Sequence, residues 1–414
     1  MEAVPKIEGH AAFYTHLKNG QVDKARIIGL ENDRFVEKIL LGRHYYEAPI
    51  ITSRICGICP TIHNVTSTKA IETACGIVPS PQTTKLRKLM LSGQMIQSHS
   101  LHLYLLVLPD YVGVSSSFEL QKTHPEIFQN AIELKKYADR ILEVIGGRAV
   151  HPVSSVPGGF KAFPKHSSLK ELLAMAPKVE KIAEDTVRLF ASFEYPKIKR
   201  AMIHSALNQQ SDYAFYDGEI WTTNGKVFKA EHYKTYVQEE LRPYTRAKFG
   251  SLQGHTMMVG ASSRININKR HLADGTLKLF DELDLPFPFD NPFLNIIAQA
   301  IENHHFVLKS IELIQDLVKN GIKTEHLIPV TKYGVGVAAC EAPRGTLFHY
   351  YELNKEGKII NCDIITPTVE SLSALELDLG LVRKEMKELP SSEQIQTIEA
   401  LIRAYDPCIT CATH

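Results

Sequence analysis

At 414 residues, with 44% apolar and 22% charged side chains, the chain has an ordinary globular balance and enough length to bury a large core. Lys and Arg number 47 against 46 Asp and Glu, and a net charge of +1 with dispersed basic residues gives no basis for a polyanion-binding surface. No run approaches a membrane span: the most apolar stretch, 101–114, is broken by His102, Pro109 and Asp110. The start, MEAVPKIEGH, has no apolar signal core, so a cytoplasmic location is expected unless a partner carries an export signal.

In chain order, the first predicted element is a hairpin. AAFYTHLK (11–18) and QVDKARIIGL (21–30) flank a turn at Asn19-Gly20. SRICGICPTIH (53–63) then leads into a helix whose first turn suits Pro60. A long helical pattern covers 84–108 and stops at Pro109; another begins after Pro125, covers 126–145 and ends at Gly146-Gly147. Residues 168–194 and 292–319 each predict a helix of about 40 Å. Two more hairpins are expected, DGEIWTTNGKVFKAEHY (217–233) turning at Asn224-Gly225, and 345–365 turning near Gly357. Further helices are predicted at 369–388 and 391–405. The implied fold class is α+β and mainly multihelical, a long-helix core with small peripheral β-hairpins rather than an alternating β-α-β chain. Length alone allows two or three domains, but no repeat, low-complexity tract or linker divides the sequence.

Seven cysteines in a chain this long do not make a secreted disulfide framework. Cys75, Cys340 and Cys362 stand alone and are expected to be small buried hydrophobes. The other four form two Cys-x-x-Cys pairs, Cys56/Cys59 and Cys408/Cys411. The first precedes a helix, whose N-terminus favours thiolate, the metal-binding form. The second lies on the chain's last turn, after Asp406-Pro407. Together they offer four sulfurs to a soft or borderline metal, joining opposite ends of the chain. The spacing leaves three uses open: structural zinc, a dithiol redox pair, or a catalytic metal. Charged and polar residues gather around the pairs: KIEGH at the start, Arg54, His63 and Asp406; in a second loop, EAPRG (341–345), Pro343 shapes a turn that either presents Arg344 to the site or leaves it as a surface arginine. A zinc knuckle needs none of them.

At these residues the sequence resembles the large subunit of [NiFe] hydrogenases. The family's Arg-x-Cys-Gly-x-Cys motif appears as Arg54 to Cys59, and its Asp-Pro-Cys-x-x-Cys-x-x-His motif as Asp406 to His414. The likeness covers the whole chain, so residues 1–414 are expected to form one catalytic unit. It is nearest the soluble, cytoplasmic NAD(P)-linked class that includes the sulfhydrogenases, through 98–111, CDIITPT (362–368) and 402–411. The resemblance implies reversible, heterolytic cleavage of H2 to protons and electrons.

By the same resemblance, Cys56 and Cys408 are terminal nickel ligands. Cys59 and Cys411 bridge nickel to an iron carrying one CO and two CN⁻. Arg344 hangs over the open coordination position, while Pro343 and Thr368 line the diatomic ligands. His63 sits beside a bridging sulfur, and Glu8 is the first proton relay, with Cys408 as base. Glu37, His414 and the Ile364 carbonyl bind a nearby Mg²⁺. Two divalent metals against four thiolates and two cyanides leave a net negative site, which demands nearby donors and cations such as Arg344. Two positions depart from the family: Lys6 stands where Arg is usual, and Ser98 where many members carry Asp near the active-site Arg. In the family a C-terminal extension is removed just after this histidine. An end at His414 matches that processed form, or equally a gene that ends there, and the last turn is expected to be buried.

Three leftover cysteines cannot ligate an iron–sulfur relay, which takes four thiolates per cluster. GVGVAAC (334–340) also lacks the spacing of a dinucleotide-binding loop. Electrons are therefore expected to leave through an iron–sulfur small subunit, and the family adds a flavin-containing NAD(P) diaphorase module with its own iron–sulfur subunit. The alternatives within the family are coupling to deazaflavin, heterodisulfide reductase or sulfur, or a non-catalytic H2 sensor. The complete cysteine set argues against the quinone-reducing relative in respiratory complex I.

Overall fold

The computed structural model describes residues 2–18, 21–33, 35–386 and 390–414. Its centre is a group of long helices. Pro81–Leu101 packs against Pro125–Gly146 and Asn295–Asn320, and the last of these packs against His166–Ala191. Helices His166–Ala191 and Asn295–Asn320 have 26 residues each, close to the expected spans. Pro367–Glu385 and Ser391–Ala404 complete the C-terminal part. Residues 387–388 of the predicted 369–388 helix lie outside the described residues. No described helix is long and apolar enough to cross a membrane.

The helix expected to stop at Pro109 does not. After Leu101 it widens into a π-helical stretch, His102–Val107, and continues through Leu108–Tyr111. Proline lacks an N–H and its ring collides with the carbonyl four residues earlier. Widening the turn at that place accommodates Pro109, with Leu108 N–H donating back to Leu103 O.

The predicted hairpins are present within small sheets. Ala11–Lys18 pairs antiparallel with Gln21–Gly29, and Glu2–Ala3 adds a third strand. Their turn at Asn19-Gly20 lies outside the described residues. Glu219–Thr222 and Val227–Phe228 flank Asn224-Gly225 and join Ile203–Asn208 and Met257–Met258 in a four-stranded sheet. Gly345–Leu353 and Ile359–Ile365 pair as expected. GVGVAAC supplies most of a third strand, Val335–Ala342, on their other edge. That sheet packs on helix Pro60–Cys75, so the loop carrying Arg344 faces the helix that starts after Cys59. Cys75 and Cys340 are buried as expected. Cys362 is only half-buried, and its thiol donates to Glu37 O at 3.1 Å.

Candidate metal centre

The four paired cysteines converge. All four sulfurs lie within 4.8 Å of one another and all four residues are buried. Cys59 caps the helix that Pro60 opens, while Cys408 precedes the short helix Ile409–Ala412. The sulfurs pair across the two motifs: Cys56 with Cys408 and Cys59 with Cys411, each at 3.4 Å. The chain's last turn is docked, with Thr413 and His414 buried beside the cysteines.

Four thiols this close do not ionise independently. Cys56 is pulled well below the ordinary thiol range, chiefly by the Cys408 thiol and then by Cys411 and Cys59. Burial drives Cys408 and Cys411 upward. One thiolate is accommodated by its neighbours; four require cations among them. The donor chemistry therefore fits a metal centre.

Arg344 supplies fixed positive charge. Its Nε donates to Asp406 O at 2.7 Å and Asp406 Oδ1 at 3.0 Å, and its Nη2 stands 2.9 Å from the same Oδ1. Burial opposes the charge, but Asp406 and then Cys408 hold the guanidinium protonated. Its Nη1 is buried with no hydrogen-bond partner among the described residues. With Cys59, Cys408 and Cys411, Arg344 lines a small cavity whose walls include His63, Pro343, Leu347 and Thr368. An orphaned donor beside an apolar cavity fits a group with anionic or acceptor ligands. Gly345, at φ 133°, is required after Arg344, because a Cβ there would lie 2.6 Å from Val259 Cβ.

The opposite wall comes from the N-terminus. Glu8 Oε2 accepts from Cys408 Sγ at 2.9 Å, and Oε1 accepts from Thr410 Oγ1 at 2.5 Å. Burial, and then the Cys56 charge, raises the Glu8 pKa above the ordinary carboxyl range. Gly9 permits the approach: at φ 77°, a Cβ would stand 3.0 Å from Ile409 Cβ. Lys6 and Arg403 share the carboxylate of Asp110, both at 2.5 Å, which ties this segment to the helix before Cys408. Lysine thus suffices at position 6, since a single carboxylate oxygen is met there.

The remaining expected residues are distributed as follows. His63 Nε2 lies 3.7 Å from Cys411 Sγ, and its Nδ1 3.3 Å from His349 Nε2. Thr368 Oγ1 accepts from Cys408 N–H at 2.9 Å, leaving its own proton free to donate into the cavity. His414 Nε2 is 2.9 Å from Ile364 O and 3.8 Å from Glu37 Oε1. Ligands about 2.1 Å from an octahedral Mg²⁺ stand about 3 Å apart when adjacent and about 4.2 Å when opposite, so these separations fit. Burial, then the Lys248 cation, lowers the His414 pKa and keeps the ring neutral, as a ligand must be. Ser98 is buried with its hydroxyl unpartnered among the described residues, whereas Arg54 is exposed and donates to Ile50 O at 2.6 Å. Sequence reasoning noticed Asp406 but not its grip on Arg344, and it missed Thr410 and His349. Thr410 was visible as the polar residue between the second pair of cysteines; His349 had no local signal.

The nickel-dependent hydrogenase family model matches residues 34–128 and 182–414. The chain belongs to the nickel-dependent hydrogenase family. The hydrogenase is 34% identical to the alpha chain of sulfhydrogenase 1 from Pyrococcus furiosus, across 100% of this chain and 97% of that protein. It is 32% identical to an F420-non-reducing hydrogenase of Methanothermobacter marburgensis, across 100% and 94% of the two chains. A crystal structure of NAD+-reducing [NiFe]-hydrogenase in the H2-reduced state superposes with a TM-score of 0.90 at 27% identity, covering 100% of this chain and 98% of that one. The protein is the catalytic subunit of a [NiFe] hydrogenase, an oxidoreductase acting on H2. The zinc reading left open by cysteine spacing is thereby set aside.

Proposed function

We propose that the whole chain acts as one catalytic unit that cleaves H2 reversibly and heterolytically, with the proton leaving through Cys408 and Glu8. The observation that carries this route is the 2.9 Å contact between Cys408 Sγ and Glu8 Oε2. When bound at the four cysteines, a nickel–iron centre with one CO and two CN⁻ supplies Lewis acidity that polarises H2 and takes up its electrons. Cys408 Sγ accepts the proton and hands it to Glu8. Burial raises the Glu8 pKa, which favours that transfer. Arg344 lines the same cavity, and its Nη1, unpartnered among the described residues, is the donor it offers there. Thr368 and Pro343 line the cavity and would face the diatomic ligands, with the Thr368 hydroxyl a donor for a cyanide. His63 supports the Cys411 sulfur. Glu37, the Ile364 carbonyl and His414 would hold Mg²⁺ beside the last turn, where it would brace the backbone next to Cys411.

Electrons leave through an iron–sulfur small subunit, since Cys75, Cys340 and Cys362 are dispersed and form no cluster site among the described residues. The acceptor we assign is NAD(P), reached through a flavin-containing diaphorase and its iron–sulfur subunit in a cytoplasmic complex. Support comes from the TM-score of 0.90 with an NAD+-reducing enzyme. The test is to purify the chain with its partners, identify them by mass spectrometry, and supply H2 with NAD+, NADP+ or an artificial dye. Reduction of a nicotinamide by the intact complex is expected. Dye reduction without any nicotinamide reduction would contradict the acceptor while leaving H2 cleavage standing.

A further inference from the structure

Outside the metal centre, Arg264 is a fully buried charge whose donors are all satisfied. It lies on helix Ala261–Asn268, and its side chain is 0% exposed. A guanidinium has five N–H donors, and here all five are used. Nε and Nη2 grip Glu302, at 2.6 Å to Oε1 and 2.6 Å to Oε2. Nη1 reaches Glu341 Oε2 at 3.0 Å and Ala342 O at 2.7 Å, while Nη2 reaches Pro343 O at 2.8 Å. The last two acceptors are the consecutive carbonyls immediately before Arg344. Both carboxylates are themselves anchored. Glu302 accepts from Tyr213 OH at 2.6 Å and meets His99 Nε2 at 2.9 Å. Glu341 Oε1 accepts from Leu207 N and Thr346 Oγ1, each at 2.8 Å.

We propose that Arg264 is the positioning residue for Arg344, holding the two peptide units that set where the Arg344 guanidinium enters the metal cavity. Among the described residues, the Arg344 side chain hydrogen-bonds only to Asp406, and its Nη1 has no partner. Asp406 fixes the far end of the side chain and the loop fixes its Cα, so the two together set the direction of that nitrogen. Stability alone gives a poor account of the cluster, because a buried ion pair is often replaceable by apolar side chains at no cost. A planar fork that spans a carboxylate and two successive carbonyls is not replaceable by the three donors of lysine. The proposal rests on Arg344 acting at the metal centre.

The test uses the holoenzyme complex and four variants: R264K, Y213F, R344K and, as a control, R87K. Arg87 is an equally buried arginine, paired with Glu72 at 2.7 Å, hydrogen-bonded also to Val156 O and Tyr216 OH, and it does not line the cavity. Turnover, KM for an artificial electron acceptor, metal content, thermal midpoint and the infrared CO and CN⁻ bands are measured together. R264K is expected to lower kcat per nickel by about 10- to 100-fold, with KM unchanged and the cyanide bands shifted or broadened. Combined with R344K, it should add little further loss. R87K is expected to lose stability while keeping kcat and bands. Should R264K fail to assemble, Y213F removes one hydroxyl from Glu302 and should shift the same bands, with a loss of about two- to tenfold. Wild-type kcat and bands in R264K, or in Y213F where R264K cannot be made, beside an impaired R344K would overturn the positioning role alone. Wild-type turnover in R344K would overturn the role of Arg344 and this proposal with it.

Discussion

The thiol of Cys408 stands 2.9 Å from Glu8 Oε2, although 400 residues of chain separate the two. A donor on the terminal turn thus meets an acceptor from the N-terminal segment, and the contact forms only when both ends dock. In the proposed mechanism this contact is the first step of proton exit. Glu8→Gln keeps the shape but cannot take a proton, so H/D exchange and turnover should drop by about 10²- to 10⁴-fold. Infrared bands should stay nearly unmoved. Unchanged exchange would remove Glu8 from the route.

Arg344 presents a planar fork, of which Nε and Nη2 are committed to Asp406. Lysine at this position keeps the charge but loses the second arm, so R344K should retain nickel and iron while turnover falls by about 10²- to 10³-fold. Equal activity at equal metal content would mean that the guanidinium is not poised over the centre.

Glu37, Ile364 O and His414 converge beneath the last turn, with Lys248 Nζ 3.4 Å from Glu37 Oε2. Glu37→Gln removes the one anionic ligand of the proposed Mg²⁺ site and leaves that lysine unpaired on this side. Elemental analysis should show Mg²⁺ lost from the purified complex, and the thermal midpoint should fall by several degrees. Full Mg²⁺ content in the variant would refute the ligand set.

Acid stability follows from buried histidines away from the centre. Burial lowers His204, His304 and His305 each to about 4. With unfolded values near 6.5, the unfolded chain binds more protons as pH falls, so their stabilising share is complete above about pH 6.5 and lost on descending towards pH 4. Each is worth on the order of 3 kcal/mol at most. The urea midpoint should decline between about pH 6.5 and 5 while the infrared bands persist, and His305→Gln should flatten the slope. A midpoint constant across that window would count against this reading.

Much of this was legible in sequence because it is local. Two Cys-x-x-Cys pairs, Pro60 at a helix start and Asn-Gly between alternating strands each carry their physics within a few residues. The site residues Glu8, His63, Arg344 and Thr368 were reachable through the motifs around them. The failures are tertiary. Pro109 reads as a stop, and only the widened turn at His102–Val107 lets the helix continue. Arg264 sits in ASSRININK with no pattern of its own; its acceptors come from residues 302 and 341–343. Asp406 is visible as a motif residue, but its grip on Arg344 exists only once the strand loop and the last turn meet.

The central claim is that the four buried sulfurs hold a nickel–iron centre whose iron carries diatomic ligands. Infrared spectroscopy of the purified complex, paired with elemental analysis, tests it most directly. The expected result is nickel and iron in equal amounts with one CO and two CN⁻ stretching bands. Zinc in their place, with no such bands, would contradict it.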